Sequence, residues 1–194
     1  KKGDIGKSKV ECAVRALKEE HNLRSEIIGF HIDVLEKWDV VVDLAKQSTI
    51  IFNMIDVGEY LDLAVQALAR KLGIPFCLGG TFRTTLTVDF YKPTGACYAC
   101  VSDHSNKEVR NVLVPSKIAD YTDLKFIPKD DNPTGASNVY VCCTCCNFMT
   151  SAFTQHLMGN EVPTRLIFYY LTYDIDKWTM ESDPKCTICN DLKK

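Results

Sequence analysis

The ten cysteines of this 194-residue chain are unevenly spread, and their spacing is the strongest chemical signal in it. Cys97-Tyr98-Ala99-Cys100 and Cys186-Thr187-Ile188-Cys189 are Cys-x-x-Cys knuckles. Each points two thiolates at one metal ion, and two knuckles complete a tetrahedral zinc site. They lie much further apart than the roughly 15–20 residues of a single zinc module, so the fold must bring them together. A closed four-thiolate site would be structural, tying the end of the chain back to its middle. The competing reading is two unrelated buried or redox pairs. A secreted disulfide scaffold would be shorter and would spread its cysteines more evenly. Paired knuckles in a medium-sized chain with no apolar leader point to metal ligands in the reducing cytoplasm.

Cys142, Cys143, Cys145 and Cys146 form a second group, where a long polar stretch gives way to an expected helix. A cysteine near a helix start has a lowered pKa and is a better nucleophile. The plain alternative is that several are small core residues. Asp56 closes an apolar strand at its carboxyl end, where open α/β sheets bind ligands. A carboxylate there can hold Mg²⁺ with nucleotide phosphates, or cap the helix expected from Val57, or do both. Lys9 falls in the first turn of an expected helix, against the helix dipole. It is either a solvated surface lysine or a phosphate-facing one. His21, His31, His104 and His156 form no spaced pair, and no role is assigned to them.

These residues need a scaffold, and the first half of the chain supplies one by alternating helix and strand. Lys7–Asn22 carries Val10, Ala13, Val14 and Leu17 at helical spacing, with Ser8 placed to cap it. Ile27–Ile32 reads as a strand, Leu35–Gln47 as a helix and Thr49–Ile55 as a buried strand. Val57–Leu72 is the clearest helix, with Leu61, Val65, Leu68 and Leu72 on one face and Gly73 at its end. Pro75–Leu78 is the next strand, followed by Gly79-Gly80 and the β run Thr84–Tyr91. This alternation predicts an α/β fold with a Rossmann-like, largely parallel sheet flanked by helices. Ser102–Asn138 then breaks the pattern and carries three of the seven prolines; a stretch that long is usually a functional crossover loop. Asn147–Met158 is a candidate helix and Arg165–Tyr173 an aromatic-rich strand.

Composition excludes several classes. With 46% hydrophobic and 25% charged residues the chain is globular, not disordered. Its net charge of −2, from 23 basic and 25 acidic residues, advertises no nucleic acid or anionic lipid. No apolar run reaches the roughly eighteen residues of a membrane span.

Taken in order, these features resemble the adenylating domain of the ThiF/MoeB/HesA superfamily, which includes the ubiquitin-like-protein activating enzymes. Asp4-Ile5-Gly6-Lys7-Ser8-Lys9-Val10-Glu11 is similar to the segment that carries the family's ATP-contacting lysine, which maps onto Lys9. Asn53-Met54-Ile55-Asp56-Val57 occupies the place of the family's Asp-x-x-Asp-Asn, so its Mg·ATP aspartate maps onto Asp56. Gly95-Ala96-Cys97-Tyr98-Ala99-Cys100 matches the first zinc knuckle, and Cys186 and Cys189 match the second. Cys142, after Tyr140-Val141, comes closest to the family's thioester cysteine.

The resemblance implies one partial adenylation domain over residues 1–190, with its crossover loop at 102–138. It implies ATP and Mg²⁺ as substrate and counter-ion, a structural Zn²⁺, and a homo- or heterodimer. The reaction implied is attack of a C-terminal carboxylate, on a ubiquitin-like or sulfur-carrier protein, at the α-phosphate of ATP. In some branches a cysteine then captures the acyl group. Two departures stand out. No G-x-G-x-x-G occurs, so the phosphate-cradling loop is expected upstream of residue 1, and Asn53 and Val57 replace the motif's usual Asp and Asn. A catalytically inactive scaffold or partner subunit is the second reading, and a thiol redox protein the third.

Overall fold

A computed structural model describes residues 2–20, 25–56, 59–101, 138–186 and 189. The chain divides into two compact units, residues 1–37 and 38–194.

The first unit is built on helix α1 (Lys9–Glu20). Ser8 caps it as expected: its Oγ accepts from the Glu11 N–H at 3.4 Å and its carbonyl from the Cys12 N–H at 3.1 Å. Arg15 reaches back from the helix to pair with Asp4. The expected strand at Ile27–Ile32 has no sheet partner among the described residues. It runs against α1 instead, at Gly29, where a Cβ would lie 2.6 Å from methyl groups of both Val10 and Val14. Apolar residues alone do not make a strand; the backbone also needs a partner for its ladder.

The second unit starts with α2 (Trp38–Ala45) and β1 (Ile51–Asn53), then α3 (Glu59–Leu72), β2 (Phe76–Phe82) and β3 (Thr85–Tyr91). A short helix α4 (Tyr98–Val101), the long helix α5 (Val139–Leu157), β4 (Arg165–Tyr169) and β5 (Asp174–Trp178) complete it. The five strands form one sheet in the order β1-β2-β3-β4-β5. The α/β sheet flanked by helices is as anticipated. Parallel pairing is confined to β1–β2, and the next three pairings are antiparallel. The β1–β2 crossover carries α3, as a parallel pair requires, whereas two residues, Arg83 and Thr84, separate β2 from β3 and permit only a hairpin; β4 returns antiparallel to β3 after the long connection that carries α4 and α5. Arg83 sits at φ 55° to make that turn.

Register places Asn53, Leu78, Asp89, Arg165 and Trp178 side by side in one row across all five strands. One face of the sheet is covered by α5, which packs Val141, Cys145 and Met149 against Cys77, Leu86, Val88 and Phe90. The helix comes close because residue 79 is glycine: a Cβ there would lie 2.3 Å from Met149 Sδ and 3.0 Å from Cys145 Sγ. Gly79 and Gly80 therefore lie within β2 instead of ending it. Phe76 and Tyr91 stack at 6.1 Å, and Tyr98 of α4 meets Tyr91 edge-on at 6.3 Å. Helix α3 buries Leu61, Val65 and Leu68 as the periodicity predicts, but also Ala64, Ala67 and Ala69, so it is enclosed on nearly every side. Gly73 ends it at φ 71°.

Candidate functional site

At the carboxyl end of β1 the second unit opens a cavity of about 590 Å³. Asp56 stands on its rim, exposed, and its carboxylate has no hydrogen-bond partner among the described residues. Helix α3 is first described at Glu59, and among the described residues no capping bond from Asp56 to it is found. Asn53, just below, is buried and fully used: its Nδ2 donates to Asp62 Oδ1 at 2.7 Å and its Oδ1 accepts from the Ile55 N–H at 3.2 Å. The amide explains why this position carries Asn. Asp62 needs a donor there, and a second carboxylate would repel it.

The opposite wall holds a charge network that sequence reasoning missed. Arg165 Nε and Nη2 donate to Asp89 Oδ1 and Oδ2 at 2.7 and 2.6 Å, and the Tyr91 hydroxyl donates to Asp89 Oδ2 at 2.8 Å. Asp89 is buried, and its carboxylate beside the guanidinium pushes the Arg165 pKa further up. Burial pushes the Tyr91 phenol up as well, so it stays protonated and donates. The available signal was a lone carboxylate inside the β run Thr84–Tyr91, which must find a cation when buried.

Helix α5 begins eight residues before the expected Asn147, capped by Asn138, whose Oδ1 accepts from the Val141 N–H at 3.0 Å. The cysteine cluster therefore occupies its first two turns, and each member faces a different environment. Cys142 is half-buried, lines the cavity and lies 3.9 Å from Thr81 Oγ1. Cys145 is buried against Gly80 and Thr87, and burial pushes its thiol up to about 12. Cys143 and Cys146 are exposed. Residues 102–137, nearly all of the expected crossover loop, lie outside the described residues.

Away from the cavity, Cys97, Cys100, Cys186 and Cys189 converge, with all four sulfurs within 4.8 Å of one another. The Sγ separations are 3.7 Å for Cys97–Cys100 and 3.5 Å for both Cys97–Cys186 and Cys100–Cys189. Four thiolates at zinc bond length would form a tetrahedron with edges of about 3.8 Å, so this cluster can hold zinc. The Asp183 N–H points at Cys100 Sγ at 3.4 Å, and the Gly95 carbonyl accepts from both Arg70 Nη2 and the Cys189 thiol. Hydrogen bonding among the sulfurs pushes the Cys97 thiol up, chiefly through Cys100, and pulls Cys100 down, chiefly through Cys186. Proton sharing of that kind is what a bound cation replaces.

The ThiF family model matches residues 1–188. The chain belongs to the ThiF family. Its fold is similar to that of solved structures: E. coli MccB with ATP superposes with a TM-score of 0.64 at 16% identity, over 98% of this chain and 52% of that one. E. coli MccB with selenomethionine-labelled MccA gives 0.65 at 16% identity, over 98% and 53%. PaaA gives 0.60 at 14% identity, over 93% and 57%. The chain thus spans about half the length of these structures. No curated protein sequence matches it.

For a ThiF-family chain, the structure brings Asp56 and Cys142 to one cavity and the four outer cysteines to one cluster. Lys9 is the first residue of α1, exposed, in the first unit. Among the described residues no helix is long and apolar enough to cross a membrane.

Proposed function

We propose that this chain is the greater part of an adenylating domain that activates the C-terminal carboxylate of a peptide or a small ubiquitin-like or sulfur-carrier protein with ATP. The observation that carries this reading is Asp56, without a hydrogen-bond partner among the described residues, past the carboxyl end of β1 on the rim of a cavity of about 590 Å³, in a chain matched by the ThiF model almost throughout. A similar structure, MccB, was solved with ATP and with MccA, which supports a nucleotide and an acceptor meeting in such a fold.

The acceptor's carboxylate oxygen attacks the α-phosphorus, the bond to the β-phosphate oxygen breaks, and pyrophosphate leaves an acyl-adenylate. Asp56 would hold the magnesium counter-ion of the nucleotide, and Lys9 would offset phosphate charge. Magnesium supplies charge neutralisation at the phosphates. Cys142, on the cavity wall, then takes the acyl group: its sulfur attacks the carbonyl carbon and AMP departs, leaving a thioester. The Cys97, Cys100, Cys186 and Cys189 cluster would hold a structural zinc that ties the second knuckle to the first. The active assembly is a dimer in the cytoplasm.

ATP–pyrophosphate exchange by the full-length protein tests the first step. The second predicts a hydroxylamine-sensitive acyl adduct that is lost in Cys142→Ser while exchange persists.

A further inference from the structure

The Asp89–Arg165 pair has a geometry that its structural role does not require. Arg165 bonds Asp89 side-on, through Nε and Nη2. That leaves Nη1, and the second N–H of Nη2, without an acceptor among the described residues. Arg165 lines the cavity with its side chain 27% exposed, whereas Asp89 is 1% exposed and is held from behind by the Tyr91 hydroxyl. A buried ion pair is weak as a stabilising device, because desolvation offsets most of the attraction. What it does well is fix a planar guanidinium in one orientation. Here the guanidinium so fixed lines the cavity, with its Nη1 unbonded among the described residues.

The placement says what that edge meets. Asn53, Leu78, Asp89 and Arg165 are consecutive members of one cross-strand row. Three strand spacings separate Arg165 from the β1 end, about 14 Å. An extended peptide advances about 3.4 Å per residue, so that gap is about four residues long. Asp56 and Asp62 are the other charged groups on the cavity wall besides the pair, and Arg165 is its one cation among the described residues. The acidic end suits a metal-bound phosphate. The guanidinium end suits oxygen acceptors on the other reactant.

We propose that Arg165 is a positioning residue for the acceptor, donating from its free Nη edge to a carbonyl or carboxylate oxygen about four residues before the reacting C-terminus. The inference rests on the adenylation reading and assigns that site its grip on the acceptor chain.

The test uses the full-length protein and a randomised library of six-residue peptides with free C-terminal carboxylates, scored by ATP–pyrophosphate exchange. The best peptide is compared with its C-terminal three-residue fragment, in the wild type and in the double variant Asp89→Asn/Arg165→Met. The double variant removes both charges together, because Arg165→Met alone would strand a buried carboxylate. In the wild type the fragment's KM should exceed the full peptide's by about tenfold, the loss of one charge-assisted hydrogen bond. In the double variant the two should agree within about twofold, since the bond is already gone. Equal sensitivity to truncation in both proteins would overturn the inference and leave adenylation standing. A raised KM for ATP, with the truncation effect kept, would move Arg165 to the nucleotide and also overturn it. No exchange by the wild type with any peptide would remove the adenylation reading and this inference with it.

Discussion

Cys97 Sγ and Cys186 Sγ lie 3.5 Å apart although 89 positions separate them in sequence. Helix α5 and strands β4 and β5 lie between the two knuckles in the chain, so the cluster closes only once they have packed back against the first three strands. Structural zinc sites contribute on the order of 10 kcal/mol to folding. Purified protein should therefore contain one zinc per chain by elemental analysis. Cys189→Ser should release it and lower the melting temperature sharply. Zinc-free protein of undiminished stability would remove the metal from the account.

Gly79 sets how closely α5 approaches the sheet. A methyl group there meets Met149 Sδ at 2.3 Å and Cys145 Sγ at 3.0 Å. Gly79→Ala should cost about 1–3 kcal/mol in urea unfolding, as overpacking usually does. Shortening Met149 relieves the clash, so Gly79→Ala/Met149→Ala should cost clearly less than the sum of its single changes. Strict additivity would mean that the helix does not bear on this glycine.

Much of this was legible in sequence, and the misses have physical causes. Helix α1 with its Ser8 cap, α3 with Gly73, and the four metal-type cysteines follow from local spacing, because periodicity, capping and ligand geometry are short-range properties. Strand pairing is not. Ile27–Ile32 has the composition of a strand and no sheet partner among the described residues, and β2 and β3 are antiparallel because of a two-residue turn, while β4 returns antiparallel after a connection that carries α4 and α5. β5 was missed altogether: Asp174–Trp178 is exposed at every position, so no apolar pattern marks it. Asp89 and Arg165 are 76 positions apart, and only register makes them neighbours. Cys142 was singled out from its cluster by resemblance, and its place on the cavity wall depends on the helix starting at Val139.

Removing one member of the buried pair should be costly. Arg165→Leu leaves Asp89 charged and desolvated, which should cost about 3 kcal/mol, the low end for such pairs because the guanidinium is 27% exposed. Asp89→Asn/Arg165→Leu should recover most of that loss. Equal destabilisation by the single and double variants would show that packing, not charge, holds β3 to β4.

The cysteine cluster should separate by reactivity. Iodoacetamide at pH 8 should label exposed Cys143 and Cys146 well before Cys145, whose buried thiol is pushed up to about 12. The same shift sets a pH dependence. Above the ordinary thiol value of 9.0 the unfolded chain ionises at Cys145 while the native one stays protonated, so stability should fall as pH rises from 9.0 towards 12. Labelling of Cys145 at the rate of Cys143 would contradict the packing of α5 on β2.

Asp56 carries the central claim, and ATP–pyrophosphate exchange of Asp56→Ala in the full-length protein tests it most directly. Asp56 is exposed and makes no hydrogen bond among the described residues, so the variant should unfold within about 0.5 kcal/mol of the wild type. Exchange, present in the wild type with Mg·ATP and an acceptor peptide, should fall to background in the variant. Exchange at wild-type rate in Asp56→Ala, or none in the wild type, would contradict the account and favour a non-catalytic scaffold.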